Sequence, residues 1–276
     1  MPEGHTLHRL AGQIETALAG RRTLSSSPQG RFADAARILD ERTLTGATAR
    51  GKHVLVAFEG LAEQVHVHLG LFGRWDVHEG VPPVVGQVRW RLAAADGSTS
   101  LDLRGPTACE LLTPLEVDAL LSRIGPDPLD PTATALDAEA LVLGSRRSID
   151  VLLMDQSVIG GVGNVYRAEV LFRHGVDPAT PGRQLGADRW RAMWDDLVVL
   201  MRDGVRTGRI DTVRPEHTPE AMGRDPRADD HGGEVYVYRR AGQPCLVCGT
   251  PVRTKVVAAR NLFWCPECQS AGRVRG

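Results

Sequence analysis

The sequence predicts an α+β protein: an antiparallel β region capped by one helix, then a helical stretch, then a compact cysteine-bearing end. Three observations predict it. Apolar residues recur at three- and four-residue spacing near the start, break into short alternating runs between about Leu44 and Leu112, and return to helical spacing in the second half. Prolines at 126, 128 and 131 interrupt regular structure between the halves. Two Cys-x-x-Cys pairs lie near the C-terminus.

Each element follows in order. Leu7, Leu10, Ile14 and Leu18 fall on one face of a helix from Pro2 to Gly20, with Gly20 as the stop. Runs at 54–58, 64–69, 87–92 and 101–103, bounded by Gly, Pro and Asp, read as strands, and Asp96-Gly97 is a turn signal. Helical spacing resumes at 138–143, 149–156, 164–173 and 187–204. Arg224–Gly233 is polar and reads as a mobile loop. This gives an N-terminal part at 1–124, a linker at 125–131, a helical part at 132–233 and a cysteine-bearing part at 234–276.

Composition narrows the class. The 276 residues are 42% hydrophobic and 24% charged, ordinary for a globular chain, and no run approaches the ~18 apolar residues of a membrane span. The N-terminus lacks a basic segment followed by an apolar core, so a cytoplasmic location is expected, with no membrane partner. Net charge is −1, but the segment from His231 onward carries +5, leaving −6 on the rest, which suggests a local polyanion contact. Of the 33 basic residues only Lys52 and Lys255 are lysine.

Cys245, Cys248, Cys265 and Cys268, with 16 residues between the pairs, have the spacing of four thiolates on one tetrahedral, structural Zn²⁺. The segment between them is expected to form a hairpin carrying Arg253, Lys255 and Arg260 toward nucleic acid. Cys109, among apolar neighbours, reads as a buried hydrophobe. Gly160-Gly161-Val162-Gly163-Asn164 between two helical stretches suits backbone binding of a phosphate at a helix N-terminus, although such turns are common without a ligand. Met1-Pro2-Glu3 offers, once the methionine is removed, a secondary amine more often unprotonated at neutral pH than lysine, although taken alone the segment reads as an ordinary helix start. Lys52 opens a strand after Gly51. His66 and His68 share a strand face, where a structural role outweighs a metal pair.

Six fragments in order carry a resemblance: Pro2-Glu3-Gly4, Arg50-Gly51-Lys52, His68-Leu69-Gly70-Leu71-Phe72-Gly73, residues 124–129, residues 161–169 and residues 260–269. Together they resemble the formamidopyrimidine-DNA glycosylase and endonuclease VIII family over nearly the whole chain. The resemblance implies an N-terminal helix plus antiparallel β-sandwich, a helical domain with a helix–two-turn–helix, and a C-terminal zinc-finger hairpin. It implies a bifunctional glycosylase and abasic-site lyase of base excision repair, acting on damaged DNA as a monomer in a bacterial cytoplasm, at the nucleoid. It implies that Pro2 forms a Schiff base, that Glu3 assists base loss, that Lys52 binds phosphate and helps proton transfer, and that Arg260 clamps the lesion phosphates. Gly163 and Asn164 would hold backbone phosphate, Leu71 and Phe72 would wedge into the stack, and Arg104 would lie beside the lesion.

The purine-directed branch continues Pro-Glu-Gly-Pro-Glu, whereas His5 and Thr6 stand here. Leu71-Phe72 resembles the Leu-Tyr of the endonuclease VIII branch, with Gly70 in place of a glutamine. The expectation is therefore an endonuclease VIII-like enzyme removing oxidised pyrimidines. The alternatives are a non-catalytic zinc-finger DNA binder, or the same enzyme acting mainly on oxidised purines or abasic sites.

Overall fold

The computed structural model describes residues 2–228 and 233–270. The chain divides into two units, Met1–Arg123 and Ile124–Gly276.

The first unit is α1 (Gly4–Leu18), β1 (Thr23–Ser26), α2 (Ala33–Leu39), β2 (Leu44–Arg50), β3 (His53–Phe58), β4 (Gln64–His68), β5 (Arg74–Glu79), β6 (Trp90–Ala94), β7 (Thr99–Arg104), β8 (Ala108–Leu112) and α3 (Pro114–Leu121). The strands form two antiparallel four-stranded sheets, ordered β1-β6-β7-β5 and β2-β3-β4-β8. Alternate residues of each sheet point into one core. Val54, Val56, Val65 and Val67 from one sheet meet Trp90, Leu92, Leu101 and Leu103 from the other, and Leu7, Leu10, Ile14 and Leu18 of α1 join them. This is the expected helix-capped β-sandwich.

Two edges moved. Glu3 is extended (φ −120°, ψ 179°), so α1 begins at Gly4 and Pro2 stands outside the helix. The strand expected from Gln87 begins at Trp90, because the Val88 carbonyl accepts from Gln29 N–H (2.9 Å) instead of from a ladder.

The second unit holds α4 (Ala135–Leu143), α5 (Ile149–Leu152), α6 (Asn164–Arg173), α7 (Ala187–Thr207), α8 (Pro219–Met222), β9 (Arg253–Val257) and β10 (Arg260–Trp264). Its core unites α4, α6 and α7 with the base of the β9–β10 hairpin, from Val142, Tyr166 and Trp190 to Phe263 and Cys265. The helix expected to run to Gln156 ends its α-turn at Leu152. Asp155 then accepts from Ser157, and the Gln156 amide spans Gly161 N–H (3.0 Å) and the Val162 carbonyl (2.9 Å), closing the glycine turn. The proline-rich segment is fastened to this turn through Gly125 N–H to Gln156 O (2.8 Å) and Gly160 N–H to Pro126 O (2.9 Å). The polar loop expected at Arg224–Gly233 lies partly outside the described residues; within them, Arg224 pairs with Glu234 (2.6 Å). No described helix is long and apolar enough to cross a membrane.

Candidate active site

In the first unit, the chain geometry gathers the residues singled out from the sequence at one end of the sandwich. Gly20 N–H bonds Leu44 O (2.8 Å) and Glu15 Oε1 accepts from Ala47 N–H (3.4 Å), so α1 and β2 run antiparallel side by side. From those anchors the fifteen residues of α1 and the seven of β2 each cover about 23 Å. Pro2 and Glu3 therefore end level with the Gly51-Lys52 turn that joins β2 to β3. The antiparallel register of β3 with β4, Val54 opposite Val67, brings the segment after His68 to that same end. The register of β4 with β8, His68 opposite Ala108, does the same for residues 105–107.

Glu3 is fully buried and Pro2 half-buried. His5, the second residue of α1, is pushed down to about 4, first by burial and also by the like charge of Arg9. It is neutral at neutral pH, so no imidazolium competes for Glu3.

Leu71 and Phe72 ride a tight loop closed by Gly73 N–H to Leu69 O (3.0 Å). Phe72 is 87% exposed and Leu71 52%. Gly73 is required by its backbone neighbours, and Gly70 is favoured by its positive φ. A Cβ on Gly73 would stand 2.3 Å from Leu69 O, and one on Gly70, at φ +66°, would stand 1.9 Å from Thr107 Oγ1. A side chain at position 70 would have to turn the Thr107 hydroxyl aside and adopt a strained positive φ, and from residues 70–73 only Leu71 and Phe72 project.

Arg104, at the end of β7, is engaged. Its guanidinium bonds Asp76 (2.8 Å), Asp102 (2.9 Å) and the Val85 carbonyl, while Arg91 grips the other face of Asp102 in a bidentate pair (2.6 and 2.8 Å). Burial, the largest single influence, would raise Asp102, but the bond from Arg91 and the positive charges of Arg91 and Arg104 together outweigh it and hold the carboxyl below its ordinary value. A DNA contact by Arg104 requires leaving these carboxylates.

In the second unit the glycine turn meets the hairpin. Gly163 caps α6, and the Asn164 amide donates to Asn261 O (2.9 Å) while its oxygen accepts from Arg167. Asn261 follows Arg260, so Asn164 and Arg260 stand on joined pieces of backbone. The hairpin tip is Ala258-Ala259, both at positive φ (47° and 60°), a conformation that costs alanine about 1 kcal/mol or more per residue and marks the tip as a built feature.

The sulfurs of Cys245, Cys248, Cys265 and Cys268 lie within 4.8 Å of one another, with 3.8 Å between Cys245 and Cys268 and 3.5 Å between Cys248 and Cys265. Thiolates 2.3 Å from a tetrahedral zinc stand about 3.8 Å apart, so the set fits one structural Zn²⁺ with no position open for chemistry. Gln269 locks the second knuckle, accepting from Cys265 N–H (2.8 Å) and donating to Val176 O beyond α6 (3.0 Å). Cys109 is buried, which drives its thiol up to about 12, as an inert hydrophobe requires.

Two features were not assigned from the sequence. Buried Glu169 accepts from the N–H groups of Tyr236, Val237 and Tyr238 and from the Thr212 hydroxyl, at 2.6–2.9 Å. It ties α6 to the chain entering the finger. The other is a chain of hydrogen bonds from His53 to His66 to Glu110, of which the sequence showed only the alternation of His66 and His68.

Comparison with known proteins accounts for these parts together. Residues 1–109 match the formamidopyrimidine-DNA glycosylase N-terminal domain, 124–215 its H2TH domain, and 242–271 the zinc finger found in FPG and IleRS. The chain is 49% identical over 278 residues to "Endonuclease 8 1" of Mycobacterium bovis, covering 98% of this chain and all of that protein. It superposes on MutM (Fpg) of Thermus thermophilus with a TM-score of 0.76 at 26% identity, over 99% of this chain and 100% of that one. Lactococcus lactis Fpg, solved non-covalently bound to DNA containing an abasic site, shares the fold with a TM-score of 0.77 at 20% identity, over 98% of this chain and 100% of that one. The chain belongs to the formamidopyrimidine-DNA glycosylase and endonuclease VIII family, DNA glycosylases of base excision repair with abasic-site lyase activity.

Proposed function

We propose that this enzyme removes oxidised pyrimidines from DNA through a Schiff base on Pro2 and then cuts the strand by β- and δ-elimination. With Met1 removed, the Pro2 nitrogen lone pair attacks C1′ of the damaged nucleotide. The glycosidic bond breaks toward the base, and the sugar ring opens to an iminium. The positive end of α1 disfavours a protonated amine beside it and so favours the free nucleophile. Glu3 shuttles the proton to the departing base and the ring oxygen. Lys52 holds phosphate and handles the proton lost on elimination. Gly163, Asn164 and Arg260 grip backbone phosphates, and Leu71 and Phe72 fill the space of the extruded nucleotide. Arg104 joins them only if it exchanges its carboxylates for DNA. The zinc keeps the Arg260 hairpin folded.

The observation that carries this reading is the arrival of Pro2, Glu3, Lys52 and the Leu71–Phe72 loop at one end of the sandwich, which a mere binder does not need. The working division of 1–124, 125–131, 132–233 and 234–276, and action as a monomer in the cytoplasm, belong to the same reading.

Borohydride added to enzyme and abasic-site DNA should freeze a covalent complex mapping to Pro2, and a residue added ahead of Pro2 should abolish it. A protein that binds this DNA and traps nothing is the non-catalytic binder. Cleavage across thymine glycol, dihydrouracil, 8-oxoguanine and abasic duplexes then tests the substrate: faster turnover of 8-oxoguanine than of either pyrimidine overturns that part.

A further inference from the structure

The last residue of β4, His68, is tied at three points. Its carbonyl accepts from Thr107 N–H (2.8 Å), and its half-buried ring tilts against the His53 ring with centroids 4.9 Å apart. Its Nδ1 accepts from Gly70 N–H at 3.2 Å. Leu71 and Phe72 follow at once, so the loop they ride has two ties of its own. Gly73 N–H to Leu69 O (3.0 Å) joins its ends, and the His68 ring holds the peptide through which the chain enters it.

We propose that His68 is a positioning residue, whose bare Nδ1 fixes Gly70 and so presents Leu71 and Phe72 in the conformation that enters the base stack. The proposal rests on the wedge role given above to Leu71 and Phe72.

A backbone N–H can only donate, which fixes the polarity of this bond without reference to any other side chain. Nδ1 carries the lone pair, and in the neutral ring Nε2 carries the proton. Burial first, and then the like charges of His66 and Lys52, hold His68 below the ordinary histidine value of 6.5, so the ring is neutral at neutral pH. The titratable and charged groups around it among the described residues are His66 on its own strand, His53 on β3 and Lys52 just before it. On β8, Glu110 pairs with His66 (3.0 Å).

Gly70, at φ +66° and without a Cβ, has more backbone freedom than any other residue type would have there. A bond to its N–H removes that freedom before DNA arrives, so insertion does not have to order the loop. A protonated ring would turn an N–H toward the Gly70 N–H, and the bond would be lost.

The test follows insertion alone, by 2-aminopurine fluorescence beside a tetrahydrofuran site in duplex DNA, where no Schiff base can form. Asn carries its amide at the position of Nδ1 and Gln at that of Nε2, so the pair asks which ring nitrogen matters. His68→Gln should slow the fluorescence rise about tenfold, the worth of one hydrogen bond, and His68→Asn should recover most of that loss. The insertion rate of the parent should be flat above about pH 6.5 and fall below it, whereas the Asn variant should hold its rate. Gln equalling or exceeding Asn overturns the proposal, because a contact made through Nε2 gives that order. An acid fall unchanged in His68→Asn overturns it too. If the double variant Leu71→Ala, Phe72→Ala gives the parent signal at the parent rate, the wedge role itself fails. That result is distinct from a wedge-dependent enzyme indifferent to residue 68.

Discussion

The two units are held by different physics. Met1–Arg123 is a sandwich whose strands alternate, so Val, Leu and Trp side chains of both sheets meet in one apolar core. Ile124–Gly276 also buries apolar side chains, but its irregular stretches are held by buried polar anchors: Glu169 under three backbone N–H groups, Gln156 across the glycine turn, Gln269 behind a knuckle, and four thiolates. A sheet satisfies its own backbone, whereas turns that must present N–H groups and a hairpin to a ligand need side chains or a metal to do so. The difference teaches where each unit is vulnerable: the first to loss of volume, the second to loss of a polar partner.

The largest effect should come from zinc. Binding to small zinc-finger modules is worth about 10–16 kcal/mol, so chelation or Cys265→Ser should erase hydrogen-exchange protection over residues 242–270 while Met1–Arg123 keeps its own. Near-normal DNA binding by the zinc-free protein would refute the role given to the hairpin. Next, Trp90→Ala, which removes a fully buried ring packed against Phe32, Phe58 and Trp75, should cost about 3–5 kcal/mol in denaturant unfolding of the first unit alone. Glu169→Gln puts an NH₂ donor where backbone N–H groups already point. It should cost about 2–3 kcal/mol and weaken DNA binding, with the sandwich untouched. Equal loss in both units would break the contrast.

Acid sensitivity separates the units by its pH window, since both lose stability as the pH falls. His5 and His53 are held down to about 4 and about 3 from 6.5, chiefly by burial. The unfolded chain then binds more protons between those values, so stability of the first unit is whole above about pH 6.5 and falls as the pH drops toward 4. Asp196, in the second unit, is lowered to about 2 because bonds from His174 and Arg173 outweigh its burial. Its contribution is whole above about pH 4 and fades only as the pH falls through about 2. Unfolding followed at pH 7 and pH 5 should show the first unit losing stability through its two histidines, whereas Asp196 contributes nothing to any change in the second over that range. Replacing both histidines with asparagine should flatten that slope.

The sequence by itself determined the helix-capped β unit, the helical half and the zinc set, because periodicity and Cys-x-x-Cys spacing are local. Each is set by which face a residue turns to its nearest neighbours along the chain. Ordered signatures such as Pro2-Glu3-Gly4 and residues 161–169 carried the family in the same way. What only the tertiary structure decided is who stands beside whom. The antiparallel run of α1 along β2 brings Pro2 level with Lys52, and the pairing of β4 with β8 sets His66 against Glu110. The fold closes Gly70 against Thr107, ties Arg104 to Asp76 and Asp102, and buries Glu169 under a chain 67–69 residues away. Such partners are distant in sequence, and a lone His, Arg or Glu shows no sign of the group it will meet. Strand register and burial supply the partner, and with it the charge and the tautomer.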